Sequence, residues 1–277
     1  MERLFEGKRF AMFGPLDSLT LPHPDLRLKH CRHGVMLYNR RDNYVGASLD
    51  LYGEFAELEA QLFAGLIKPG MLVIEVGANI GMHTVHLGRL VGPNGGVVAF
   101  EPQRHIFQML CANLALNGIV NADPQRLAIG VAPGEAMVAR PDYLEGGDPE
   151  EAVDMIALDN LSLPACHMLK IGTAGMTKTI LDGARNTIAR HRPFIYLRNE
   201  KPDDHAMVIA TMLDLEYRMW WHLPPLFNPG NLAGQSENMF PDSISFNLIC
   251  LPQEGAPEEI EGGIEVKTAA DPHPLMA

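Results

Sequence analysis

The stretch VIEVGANIGMHTV, residues 73–85, decides how this chain folds. It opens with a short, largely apolar run, which is typical of a strand buried on both faces of a sheet. Gly77, Asn79 and Gly81 then form a turn into the helical pattern MHTVHLGRLV, residues 82–91. Glycines let the backbone approach a ligand closely, and the first turn of a helix presents free N–H groups. The motif therefore predicts a strand, a ligand-binding turn and a helix.

The alternation of strand and helix continues along the chain. Short apolar runs alternate with segments of helical spacing, which implies right-handed crossovers and a parallel sheet with helices on both faces. The predicted strands are residues 71–77, 96–102, 125–130, 167–172 and 193–200, and the predicted helices are 54–67, 82–91, 105–118 and 177–190.

The two ends of the chain have a different character. GVMLYN and NYVGASL bracket the polar residues 40–42 and predict a hairpin, while 217–223 and 245–252 predict an antiparallel pair at the sheet edge. The last segment is acidic and proline-rich, without aromatic residues, so it is predicted to be disordered. The domains expected are an N-terminal extension with a β-hairpin (1–52), an α/β domain (53–252) and an acidic disordered tail (253–277).

Composition restricts the function further. The chain has 34 acids against 22 bases, and its net charge of −12 disfavours binding to nucleic acid. The four cysteines are far apart in the sequence, which suggests neither a disulfide framework nor a zinc ribbon. No apolar run has the length of a signal peptide or a membrane span. We expect a cytoplasmic protein.

A second chemical signal lies at the tip of the next predicted strand. Glu101 follows twenty residues after Gly81, and a carboxylate there can accept hydrogen bonds from a ribose diol. A dinucleotide site would have glycine in the middle of the turn to clear space for a pyrophosphate, whereas this chain has Asn79 there. Glu75, just before the turn, suits a ligand with an amino group or a positive charge. S-adenosylmethionine has a ribose, an ammonium and no phosphate, and it is the predicted cofactor.

These residues carry a resemblance to a known family. PGMLVIEVGANIGMHTVHLGRLVGPNGGVVAFEPQ (69–103), with NLALNG (113–118), resembles the FkbM-type S-adenosylmethionine-dependent methyltransferases, and the resemblance covers roughly residues 50–252. It implies a Rossmann-like class I methyltransferase fold, with a mostly parallel seven-stranded sheet and an antiparallel last strand. It also implies methylation of hydroxyl oxygens in small molecules. The cofactor-binding residues that it implies are Glu54, Glu75, Gly77, Asn79, Gly81 and Glu101.

Two strand ends depart from the family's pattern. The family's fourth strand usually ends in a Lys-Ile-Asp-Val-Glu-Gly-like segment and its fifth in Val-Glu, but here Gly172, Ala174 and Arg198 stand where the acids would be. Such ends face the reaction site, where a carboxylate could accept a proton or orient a hydroxyl. One hypothesis is that the transferase chemistry is altered or lost; the other is that different groups catalyse. The candidates that remain are Lys170, His83 and Arg198, and no metal site is predicted.

The sequence thus predicts an S-adenosylmethionine-dependent methyltransferase that acts on a hydroxyl of a small metabolite, sugar or polyketide. Arg198 would either attract an anionic acceptor or fill space that a charge network occupies in the family. The alternative is a cofactor-binding protein of the same fold with altered or lost transferase activity. A nicotinamide-dependent oxidoreductase is disfavoured by Asn79. We expect neither nucleic acid nor a membrane as a partner.

Overall fold

A computed structural model describes residues 21–260 and 262–276 of the chain. The predicted N-terminal extension therefore lies partly outside the described residues. The strands are β1 (Leu26–Cys31), β2 (Gly34–Asn39), β3 (Leu72–Val76), β4 (Gly96–Phe100), β5 (Ala122–Gln125), β6 (Ala128–Ile129), β7 (Gly134–Ala139), β8 (Glu150–Ile156), β9 (Met168–Ile171), β10 (Phe194–Arg198), β11 (Tyr217–His222), β12 (Asn247–Pro252) and β13 (Ile264–Val266). The helices are α1 (Val45–Tyr52), α2 (Glu57–Leu66), α3 (Met82–Val91), α4 (Arg104–Leu116), α5 (Thr177–Asp182), α6 (Arg185–His191) and α7 (Pro202–Asp214).

A mixed sheet of eight strands, in the order β13-β11-β12-β10-β9-β3-β4-β5, forms the centre of the molecule. Neighbouring strands from β10 to β5 are parallel. Strand β12 runs antiparallel to both β10 and β11, which is the reversed strand expected from the sequence. The prediction of an α/β fold is confirmed, but the sheet has one strand more than the seven predicted, because β13 pairs with β11.

Helices and the hairpin cover both faces of the sheet. On one face, apolar side chains of α5, α6 and α7 pack on the sheet, with Ile180, Ile188 and Val208 fully or almost fully buried. On the other face, α2, α3, α4 and strand β2 do the same, through residues such as Phe63 and Leu110. Burial of the parallel strands on both sides explains why they appear in the sequence as continuous apolar runs. No helix in the described part of the chain is long and apolar enough to cross a bilayer.

The N-terminal hairpin differs from its prediction. Strands β1 and β2 pair around Arg32 and His33, so GVMLYN is the second strand of the hairpin rather than the first. The segment predicted as the other strand, residues 43–49, lies largely in helix α1. The physical reason is local, because the Asp42 carboxylate accepts hydrogen bonds from the N–H groups of Tyr44 (2.8 Å) and Val45 (2.9 Å) at the helix start.

Two further elements lie elsewhere than predicted. The third strand of the large sheet, β5, precedes the apolar run 125–130, and β6 from that run belongs to a separate sheet with β7 and β8. The predicted helix 177–190 is two helices, α5 and α6, interrupted at Gly183. A Cβ at Gly183 would lie 2.0 Å from the carbonyl oxygen of Gly130, so the backbones approach closely there.

The C-terminal segment contains regular structure that its composition does not predict. Strand β13 lies within the residues predicted to be disordered, and it covers the edge of β11. Val266 and His273 are buried, and the His273 ring hydrogen-bonds the Asn199 carbonyl oxygen at 2.7 Å. The prediction of a wholly disordered tail was therefore wrong for these residues, because a few buried side chains anchor a segment that is acidic on average.

Candidate active site

The turn after β3 has the backbone conformation predicted from its glycines. Gly77 has φ of 79°, Gly81 has φ of 88°, and Asn79 also lies in the left-handed region, with φ of 52°. A Cβ at Gly77 would lie 3.1 Å from Thr173 Oγ1 and 3.3 Å from the Gly172 backbone, so a larger residue would crowd the loop after β9. The turn therefore forms a tight backbone cradle beneath the N-terminus of α3.

Glu101, at the tip of β4, lies directly beside this turn. Its carboxylate accepts hydrogen bonds from the N–H of Asn79 (2.9 Å) and the N–H of Gln103 (3.0 Å). Burial raises its pKa to about 7, against the lowering effect of these two bonds. The Tyr143 hydroxyl is buried without a hydrogen bond among the described residues. Burial and nearby carboxylates raise its pKa. Glu101 is one of the carboxylates that raise the pKa of Tyr143.

A cavity of about 610 Å³ opens beyond the turn, a size ordinary for a small-molecule site. The carboxyl ends of β3, β9 and β10 meet along it, together with the start of β12, which is the edge where ligands bind in such sheets. The predicted residues that line it are Glu75, Gly77, Asn79, His83, Lys170, Gly172 and Arg198. Among the predicted cofactor residues, Glu54, Gly81 and Glu101 do not line it.

A buried ion pair lies at the floor of the cavity. The Lys170 ammonium lies 3.0 Å from Glu75 Oε1, and the Glu75 side chain is 0% exposed. Thr84 Oγ1 donates a hydrogen bond of 2.7 Å to the other carboxylate oxygen. Glu75 Oε1 has this ionic contact with Lys170 but no hydrogen bond of good geometry among the described residues. A carboxylate oxygen in this state can accept a hydrogen bond from a further donor. Glu75 lines the cavity together with Gly77.

The glycine after β9 leaves space for this pair. A Cβ at Gly172 would lie 3.2 Å from Lys170 Nζ and 3.3 Å from the Gly77 carbonyl oxygen. A side chain there would therefore press against both the ammonium and the turn. The charged side chain at this strand end is therefore Lys170, which is paired with Glu75.

The other two candidate catalytic residues also line the cavity. Arg198 pairs with Glu200, with 3.0 Å between Nε and Oε1. The His83 ring hydrogen-bonds the Ala56 carbonyl, and its Nε2 is buried without a partner among the described residues. Burial, followed by the charge of Lys170, lowers the pKa of His83 well below its ordinary value, which leaves the imidazole neutral at pH 7.

Glu54, a predicted cofactor residue, has protein donors at both carboxylate oxygens. Arg32 Nε lies 2.6 Å from Glu54 Oε2, and Asn228 Nδ2 donates to Oε1 at 2.7 Å. The N–H of Leu232 adds a third contact, at 2.9 Å. This carboxylate joins the N-terminal hairpin to the loop before β12, and its oxygens are occupied by protein donors.

Two residues of the cavity were missed by the sequence patterns. Glu59, on α2, is 6% exposed and lines the cavity, and Asn247 begins β12 opposite it. The Asn247 amide donates to Glu59 Oε1 at 3.2 Å. One signal was present, since Glu59 precedes the buried Phe63 by four residues and so places a charge on the buried face of a helix. No group of three or more metal-binding side chains is clustered anywhere in residues 21–260 and 262–276.

Comparison with known proteins supports the α/β fold described above. The model of the FkbM methyltransferase domain matches residues 75–219, just over half of the chain. A protein of Pyrococcus horikoshii assigned as a transferase shares 13% identity, with 83% of this chain and 72% of that chain covered and a TM-score of 0.51. No curated protein matches the sequence significantly.

Two further solved structures carry methyltransferase names. The FkbM methyltransferase of Methylobacillus flagellatus shares 14% identity over 69% of this chain and 50% of its own, with a TM-score of 0.46. A S-adenosylmethionine-dependent O-methyltransferase of Thermotoga maritima shares 13% identity over 84% and 79% of the two chains, with a TM-score of 0.47.

Proposed function

Because the chain belongs to the FkbM methyltransferase family, whose cofactor is S-adenosylmethionine, we propose that it methylates a hydroxyl oxygen of a small molecule. The observation that carries the proposal is one cavity that joins the glycine turn after β3 to the polar ends of β10 and β12. Such a cavity holds a methyl donor and an acceptor side by side, which is the placement that group transfer needs. When bound, the cofactor supplies an electrophilic methyl group on a sulfonium.

The residues around the turn fit the parts of this cofactor. Glu75 Oε1, which lacks a directed hydrogen bond, can accept one from the ammonium of the methionine moiety. The crowding that a Cβ at Gly77 would cause makes the backbone cradle specific to glycine. Glu101 keeps lone pairs for the ribose hydroxyls beyond its two backbone bonds. The predicted role of Glu54 has no such support, because protein donors surround it.

The acceptor half of the cavity, at the ends of β10 and β12, is lined by polar residues that include Arg198 and Asn247. Such a lining suits a hydroxyl-bearing metabolite or sugar. The sequence suggested that Arg198 could attract an anionic acceptor. In the structure its guanidinium is paired with Glu200. We therefore retain a hydroxyl-bearing small molecule and no longer infer an anionic one. The cytoplasmic location and the exclusion of nucleic acid stay predictions from sequence.

We expect calorimetric titration to detect binding of S-adenosylmethionine and of its demethylated product, and no binding of NAD. The reason is that Asn79 occupies the place where a dinucleotide site needs glycine, while Glu75 offers a negative charge to an ammonium. A Gly77→Val variant is the matched control, and it should bind the cofactor at least about tenfold more weakly, since it closes the cradle. Tight NAD binding would overturn the proposal.

A second candidate function is a cofactor-binding protein without transferase activity, favoured by Gly172 and Arg198 at the strand ends. Calorimetry does not distinguish it from the first. Mass spectrometry of products does, with the protein supplied with labelled cofactor and a library of hydroxyl compounds. A labelled product supports the enzyme, while cofactor binding without any product supports the second candidate.

A further inference from the structure

Glu59 brings to the cavity a carboxylate that has few hydrogen-bond donors. It is 6% exposed and lines the cavity. Within the described chain, the amide of Asn247 supplies the single hydrogen bond to its carboxylate, at 3.2 Å to Oε1. A buried carboxylate normally gathers several donors or a cation, because desolvation makes its charge costly. Glu59 Oε2 therefore remains available to a ligand that enters the cavity.

Glu59 lies near the end of β10, one of the two strand ends at which the family's acids are missing. Asn247 is the register partner of Arg198 on β10, so the Glu59–Asn247 contact lies at the end of that strand. Helix α2 thereby brings a carboxylate to the sheet edge at which Gly172 and Arg198 also line the cavity. A carboxylate that β9 and β10 do not provide is thus present on α2.

The other polar groups around the cavity are less suited to accept a proton. The Lys170 amine group is occupied by its contact with Glu75 at 3.0 Å, and an arginine such as Arg198 has no lone pair to offer. His83 lines the cavity, but its Nε2 is buried and its ring packs edge-on against Phe63, with 5.3 Å between ring centroids.

Of the cavity carboxylates without a cationic partner, Asp42 accepts two backbone N–H bonds and Asp242 is exposed. Glu59 is buried and has one oxygen that no described donor contacts.

We propose that Glu59 binds the acceptor hydroxyl and receives its proton, while Asn247 holds the carboxylate in place. This inference rests on the proposed function. In the balanced step, the hydroxyl oxygen forms a bond to the methyl carbon and the S–CH₃ bond breaks with its electron pair left on sulfur. The hydroxyl proton passes to Glu59, so the products are the methyl ether, the neutral thioether and a carboxylic acid.

The charges of the cavity indicate which acceptors fit. Its two cations are both paired, Lys170 with Glu75 and Arg198 with Glu200. The carboxylates of Asp42, Glu59 and Asp242 have no such cationic partner in the described chain. An acceptor with a negative charge next to its hydroxyl would be repelled. The acceptor is therefore a neutral or amine-bearing hydroxyl compound.

The test compares the wild-type protein with Glu59→Gln in the presence of S-adenosylmethionine carrying an isotopically labelled methyl group. The acceptors are a library of neutral, amine-bearing and anionic hydroxyl compounds together with a small-molecule extract of the source cells. We expect the wild type to label a neutral or amine-bearing compound and Glu59→Gln to lower its rate at least about 100-fold, the scale of general-base catalysis. Calorimetry should give unchanged cofactor affinity for the variant and weaker binding of the identified acceptor to the protein loaded with demethylated cofactor.

Glu57→Gln is the matched control. Glu57 is a buried acid on the same helix, but it contacts His33 (2.7 Å) instead of the cavity, so labelling per folded molecule should stay within about threefold of the wild type. A Glu59→Gln rate within threefold of the wild type, or a preferred acceptor that is anionic, overturns the inference and leaves the proposed function standing. Cofactor binding with no labelled product overturns the proposed function, and the inference with it.

Discussion

Replacement of Lys170 with methionine is expected to lower the free energy of unfolding by about 3–5 kcal/mol, the range found when one partner of a buried ion pair is removed. The loss is large because Glu75 is fully buried and the Lys170 ammonium, 3.0 Å away, is the cation that balances its charge. Thr84 would remain as a donor to Glu75 but does not neutralise it. Urea unfolding followed by circular dichroism measures the change.

The double variant Glu75→Gln with Lys170→Met tests whether the loss comes from the unbalanced charge. It should recover at least half of the stability lost by Lys170→Met, because a buried pair replaced as a whole leaves no charge behind. Lys178→Met is the control, since Lys178 pairs with Asp182 on the surface of α5 and its loss should cost less than about 1 kcal/mol. If Lys170→Met costs no more than this control, the pair does not stabilise the fold.

Replacement of Glu101 with glutamine is expected to weaken S-adenosylmethionine binding by about 10- to 100-fold, the worth of one hydrogen bond to a charged acceptor. The carboxylate lies beside the turn, held by the N–H groups of Asn79 and Gln103, and its remaining lone pairs are the ones proposed to meet the ribose. Calorimetry of the variant against the wild type gives the ratio of dissociation constants. Unchanged affinity would remove Glu101 from the cofactor site.

The same variant should change how stability depends on pH. The pKa of Glu101 is raised to about 7 by burial, so between pH 4.5 and 7 the folded state retains a proton that the unfolded state releases. The sign follows directly: stability of the cofactor-free protein falls as pH rises through this window, by about 3 kcal/mol, and is level above it. Glu101→Gln should flatten this part of the stability curve, and the exposed control Glu135→Gln should not. An unchanged curve for Glu101→Gln would contradict an ionisable group with this pKa.

The local part of the site could be predicted from sequence, because its information lies within a few adjacent residues. Gly77, Asn79 and Gly81 specify the turn by their backbone conformations, and the apolar run before them specifies a buried strand. The helix 82–91 was predicted with the bounds that the structure gives it. Spacing along one short stretch was sufficient in each case.

The missed features depend on contacts that sequence spacing does not reveal. Glu59 gains its position through Asn247, which lies 188 residues further along the chain. Helix α1 forms where a strand was predicted because one side chain, Asp42, satisfies two N–H groups at its start. Glu54 matched a family position, yet its oxygens contact Asn228 and the N–H of Leu232 from a distant loop. Such roles depend on tertiary packing.

Strand β13 has a consequence for how the chain can be shortened. The family match ends at residue 219, and a sequence-based boundary at 252 would remove β13 altogether. Without β13, the N–H and C=O groups of β11 would form an open sheet edge, and such edges pair with other molecules. The acidic C-terminal segment thus covers a sheet edge, and a chain truncated at residue 252 would be prone to self-association through β11.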